Sequence, residues 1–129
     1  MSEKKNIWLV EDDDIFVFGI QRIIKKLNTN INIKSFSNGK FAIDALTDCI
    51  NHMQEIPDII LLDIYMPVMD GWEFLDEYRM LSFDKSSIRI YMLTSSDNDN
   101  DLIESKNYAE ISDYFIKPLE EDILERIIM

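Results

Sequence analysis

The sequence holds one cysteine, Cys49, so neither an internal disulfide nor a thiolate metal cluster can form. In a helical stretch it reads as a small, partly buried apolar residue. One histidine is present, His52, with no second imidazole to help it bind a metal. Glycine and proline number three each, and no low-complexity tract, internal repeat or interdomain linker is visible. Long apolar runs are missing. Ile59-Ile60-Leu61-Leu62 is typical, far below the roughly 20 residues a membrane span needs. Met1-Ser2-Glu3-Lys4-Lys5-Asn6 is charged, with no apolar signal core behind it. The chain therefore reads as cytoplasmic and off the membrane. Positive charge is scarce: 13 basic residues face 25 acidic ones, a net charge of −12. Nucleic acid repels such a chain, because binding it rests on cationic contacts to phosphate.

What is present suffices for a packed core. The 129 residues are 47% apolar and read as a single domain, residues 1–129. Residues 7–10, 31–36, 58–63, 88–93 and 113–116 read as strands. Helical spacing covers 15–27, where residues 15, 16, 19, 20, 23, 24 and 27 share a face, then 41–53, 72–81 and 119–128. A polar, weakly anchored helix is expected over 97–108. Asn28-Thr29-Asn30 ends the helix over 15–27. Strands alternating with helices point to an α/β fold, a parallel sheet with helices on both faces. Ligands of such folds bind outside the carboxyl ends of the strands.

The first strand ends at Glu11 and Asp12, the third at Asp63, the fourth at Thr94 and the fifth just before Lys117. On a parallel sheet these share one edge. Carboxylates crowded at a wet edge suit Mg²⁺, a hard cation that takes carboxylate and phosphate oxygens. A carboxylate can attack phosphorus to give an acyl phosphate, and a lysine can neutralise the moving phosphoryl oxygens. Each residue alone has a simpler reading: acids after a strand cap the next helix, and an aspartate often forms a turn. Only the set, each member at a different strand end, carries the chemistry.

The segments Trp8-Leu9-Val10-Glu11-Asp12-Asp13, Pro57-Asp58-Ile59-Ile60-Leu61-Leu62-Asp63-Ile64-Tyr65-Met66-Pro67-Val68-Met69-Asp70-Gly71, Met92-Leu93-Thr94-Ser95 and Asp113-Tyr114-Phe115-Ile116-Lys117-Pro118 are similar to a known family. Along essentially its whole length the chain resembles the receiver domains of bacterial two-component response regulators. The resemblance implies a flavodoxin-like doubly wound sheet in the order 2-1-3-4-5. It implies Mg²⁺ held by Asp12 directly, by Glu11 through water, by Asp63 and by the backbone carbonyl of Tyr65. Asp63 would be the phosphoacceptor, Thr94 and Lys117 would hold the phosphoryl oxygens, and Tyr114 would be the aromatic switch that moves with Thr94. Lys117-Pro118 would be cis. Asp13 is expected to cap the first helix instead. The family's Gly-Ala pair before the last strand is replaced by Ala109-Glu110-Ile111-Ser112. Tyr65 and Ser96 fall where the family tunes acyl-phosphate hydrolysis, and the bulk of Tyr65 predicts slow phosphate loss.

The implied partners are a sensor histidine kinase or phosphotransfer protein and a downstream protein target. Little chain follows the last helix, so no output domain is expected. No enzymatic activity is expected beyond self-phosphorylation from phosphohistidine and slow autodephosphorylation. A receiver-like module that binds partners without phosphorylation is the main alternative. A flavin carrier would meet repulsion from the acids at residues 11–14, and a haloacid-dehalogenase-type phosphatase needs an aspartate where Tyr65 stands.

Overall fold

The computed structural model describes residues 4–27, 30–95 and 99–128. Among them the apolar runs form β1 (Lys5–Val10), β2 (Ile31–Phe36), β3 (Ile59–Asp63), β4 (Arg89–Thr94) and β5 (Ile111–Ile116). Between and after them lie α1 (Asp14–Leu27), α2 (Gly39–Asn51), α3 (Gly71–Met80), α4 (Asp99–Ser105) and α5 (Glu121–Ile128). All strand pairs are parallel and the sheet order is β2-β1-β3-β4-β5, the doubly wound order the resemblance implies. Parallel pairing requires crossovers, which the helices supply.

Strand side chains alternate between two cores. Ile7, Leu9, Ile59 and Leu61 pack with Ile20 and Ile24 of α1 and Leu124 and Ile127 of α5. Trp8, Val10, Ile60 and Leu62 pack with Ala42 and Leu46 of α2 and Phe74 and Leu75 of α3. Covered on both faces, β3 is buried at every residue. Edge strand β2 instead exposes Asn32, Lys34 and Ser35, while Phe36 packs its ring 4.8 Å from that of Trp8.

Several boundaries differ from the spacing. In α1 the buried positions are Val17, Ile20 and Ile24, whereas Ile15 is 85% exposed. Residues 16, 20, 23, 24 and 27 pack inward as expected, while Val17 joins that face and Ile15 leaves it. Helix α2 stops at Asn51 and Met53 is exposed, because a left-handed turn at Met53 (φ 52°) closes the helix. Helix α3 starts at Gly71, one residue early, through a capping box between Asp70 and Glu73. Strand β5 begins at Ile111, two residues early, with a register irregularity opposite Ile90 and Tyr91. The described part of the polar helix, α4, ends at Ser105 instead of residue 108. Cys49 is buried and unpaired on α2. Residues 28 and 29 of the expected helix stop, helix positions 97 and 98, and Ser96 lie outside the described residues.

The registers fix one functional edge. Val10 pairs with Leu62, so Glu11 stands beside Asp63. Asp63 pairs with Leu93, one residue before Thr94, and Thr94 pairs with Ile116, one residue before Lys117.

Candidate functional site

Side chains from the strand ends close on one another. Lys117 Nζ lies 2.7 Å from Glu11 Oε2 and 3.2 Å from Asp63 Oδ1. Carboxylate oxygens of Glu11, Asp12 and Asp63 come within 4.8 Å of one another. Glu11 and Asp63 are buried while Asp12 is exposed, so the cluster has a buried floor and an open rim. Thr94 is fully buried at the end of β4, and its carbonyl accepts from the Lys117 N–H at 2.7 Å. The Lys117-Pro118 peptide is cis, as the resemblance implies.

Local chemistry explains why the chain folds this way here. Asp13 Oδ1 accepts from the N–H groups of Ile15 (3.0 Å) and Phe16 (3.2 Å), which caps α1 and leaves Asp12 free to face the site. Gly71 donates its N–H to the Ile64 carbonyl at 2.7 Å. A Cβ at Gly71 would sit 2.5 Å from the carbonyl oxygen of Asp63, so only glycine lets α3 begin this close under the end of β3. The Phe16 ring lies 4.6 Å from Lys117 Nζ and forms an apolar, electron-rich wall beside the ammonium.

Charge is unbalanced at this edge. Burial pushes the Glu11 carboxyl up to about 7, the hydrogen bond from Lys117 opposes this, and the charge of Asp63 adds to it. Asp63 is raised as well, again by burial first and against the pull of Lys117. Burial works to lower Lys117, but its hydrogen bond to Glu11 and the charge of Asp63 outweigh that and raise it. One ammonium therefore serves two buried carboxylates, with a third at the rim. Oxygen donors crowded with excess negative charge fit a divalent cation such as Mg²⁺, which relieves their repulsion. The side chains able to hold it are Glu11, Asp12 and Asp63.

Beyond the acids, Tyr65 and Tyr114 flank the edge. Tyr65 is half exposed, yet its hydroxyl donates to both carboxylate oxygens of Asp101, at 2.6 and 2.8 Å. That bond raises the phenol to about 12. Tyr114 already turns its hydroxyl inward. Burial raises it while the nearby Thr94 hydroxyl lowers it, and no described residue completes a hydrogen bond of ordinary geometry to it. The roles of Gly71, Phe16 and Asp101 at this site escaped the sequence reading. On α4, Asp101 and Ser105 stand four residues apart on one face, and both are buried.

The sequence model described as "Response regulator receiver domain" matches residues 7–129. A curated relative, the probable methanogenesis regulatory protein FilR2 of Methanothrix harundinacea, is 31% identical over 95% of this chain and 77% of its own. The nitrate/nitrite response regulator NarL of Escherichia coli is also 31% identical, over 98% of this chain, which spans about half (54%) of that relative. A two-component response regulator from Cytophaga hutchinsonii superposes with a TM-score of 0.84 at 28% identity, covering 98% of this chain and 96% of that one. The structure described as the Mn²⁺-bound form of response regulator Rcp1 gives a TM-score of 0.74 at 27% identity, covering 95% and 88%.

Proposed function

The chain belongs to the response regulator receiver domain family, and from that premise we propose that it is a phosphoacceptor switch charged at Asp63. The carrying observation is Lys117 held 3.2 Å from Asp63 and 2.7 Å from Glu11, beside three carboxylates within 4.8 Å of one another. The donor is a phosphohistidine on a sensor histidine kinase or phosphotransfer protein. An oxygen of Asp63 attacks phosphorus, the phosphorus–nitrogen bond breaks, and the imidazole leaves with the bond pair. Lys117 holds one transferred oxygen by its ammonium and Thr94 donates its hydroxyl to another. Asp12, Asp63 and the Tyr65 carbonyl would hold Mg²⁺ directly and Glu11 through water, and the ion would supply charge neutralisation at the phosphoryl oxygens. A Mn²⁺-bound relative supports a divalent site of this kind.

The acyl phosphate adds charge at an already acidic edge. Thr94 and Tyr114 respond, and the surface around α4 and β5 changes for a downstream protein. Hydrolysis is slow, and the protein catalyses nothing further. It works in the cytoplasm. Among the described residues no helix is long and apolar enough to cross a membrane.

The deciding experiment is acetyl phosphate with Mg²⁺, read by intact mass. One added phosphoryl group is expected, absent in Asp63→Asn and without Mg²⁺, with a half-life well beyond seconds. No labelling, or equal labelling of Asp63→Asn, sinks the reading in favour of a phosphorylation-independent binding module. A half-life of seconds or less defeats the slow-hydrolysis element alone.

A further inference from the structure

Helix α4 is seated against its polarity. It buries Asp101 and Ser105, with Tyr108 just beyond, and exposes Leu102 (45%) and Ile103 (60%). An apolar seat would have turned Leu102 and Ile103 inward. A buried carboxylate is costly unless it is hydrogen-bonded. Among the described residues no ion pair reaches Asp101. Its partner is the Tyr65 hydroxyl, held by both carboxylate oxygens at 2.6 and 2.8 Å. Tyr65 lies two residues after Asp63, in the loop between β3 and α3. The bond therefore joins the segment that follows Asp63 to the helix that follows Thr94. The far end of α4 is tied independently, because Tyr108 donates to Asp76 Oδ1 at 2.9 Å and stacks on Trp72 at 5.4 Å.

We infer that Asp101 is a positioning residue for the cation and phosphoryl site, acting through the Tyr65 hydroxyl to fix the loop that carries the Tyr65 carbonyl. This rests on the phosphoacceptor reading and extends it to α4. One bond constrains both segments, so whatever fixes the loop also fixes the helix. A ligand that orders the loop protects α4, and loosening α4 weakens the ligand, since coupling between two sites is reciprocal.

The test pairs Mg²⁺ titration by calorimetry with amide hydrogen exchange of residues 99–105 in metal-free protein. Tyr65→Phe removes only the hydroxyl and serves even where Asp101→Ala folds poorly. Each variant is expected to weaken Mg²⁺ binding about tenfold, the lower end of what loss of an outer-shell partner costs a metal site. The double variant should be no weaker than either single one, because both remove the same bond. Asp101→Asn keeps an acceptor for the phenol and should retain most of the affinity. Amides of α4 should exchange faster in Tyr65→Phe and Asp101→Ala before any metal is added. Unchanged Mg²⁺ affinity in Tyr65→Phe overturns the inference even if α4 loosens, since the bond would then be a structural tether only. Losses that multiply in the double variant overturn it too. A parent chain that binds no Mg²⁺ fails the phosphoacceptor reading itself, and the inference falls with it. A parent chain that binds beside unaffected variants fails the inference alone.

Discussion

Glu11 is 2% exposed and shares the Lys117 ammonium with Asp63. Burial raises Glu11 from 4.5 to about 7 in the fold, so folded protein holds its proton more tightly than unfolded chain does. A raised folded value contributes stability in full below the unfolded value and loses it as pH rises through the folded one. Asp63 is raised too and acts in the same direction. Metal-free protein should therefore lose stability as pH rises from about 4.5 to about 7. Glu11→Gln removes that ionisation and should flatten the loss across this window, measured by thermal melts in EDTA. A parent and variant with parallel pH profiles would show that Glu11 is not the titrating group. At this scale the acids, Thr94 and Lys117 were legible because each ends an apolar strand. Phe16 and Asp101 were not, because their partners, Lys117 and Tyr65, are remote in sequence and a single aromatic or acid on a helix has many uses.

Helix ends show what spacing leaves out. Met53 continues the apolar spacing of α2, and neither glycine nor asparagine marks a stop there. Yet the chain turns left-handed at Met53 (φ 52°), with the Gln54 N–H on the Cys49 carbonyl at 2.9 Å and the Met53 N–H on the Ile50 carbonyl at 3.4 Å. These two bonds make a Schellman closure, where glycine is the usual residue. Met53 is 94% exposed, so its side chain gives little back for the strain. Met53→Gly should stabilise the protein by about 0.5–1 kcal/mol, the left-handed cost removed less the extra freedom of unfolded glycine. Met53→Ala keeps the Cβ and should gain nothing. Urea unfolding with an unchanged slope reads the difference, and equal midpoints for the two variants would refute the strain. Helix α4 resisted the reading for another reason: its buried positions are polar, so hydropathy placed a helix there without showing which face turns inward.

For the whole molecule, alternating strand and helix signals were enough to give a parallel sheet with both faces covered. They did not give the strand order, because β1, β3 and β4 are all apolar enough to be central. The order came from family resemblance, and the registers confirm it by bringing Lys117 against Glu11, 106 residues away in sequence. That separation has a thermodynamic consequence. A cation shared by Glu11, Asp12 and Asp63 would link the ends of β1 and β3, neighbours at the centre of the sheet. Unfolded chain scatters these ligands, so Mg²⁺ should stabilise the fold globally and not only its own loops. At about a hundred times its Kd it adds about 2.7 kcal/mol, roughly 10 °C in Tm for a chain of this size. Calorimetry should show that rise in the parent chain and little of it in Asp12→Asn, whose exposed carboxylate can be neutralised without opening the core. Hydrogen exchange should show added protection at the slowest amides of β1 and β3, which open only on global unfolding. Protection confined to residues 64–70, with those slow amides unmoved, would mean that the cation orders a loop without bracing the sheet.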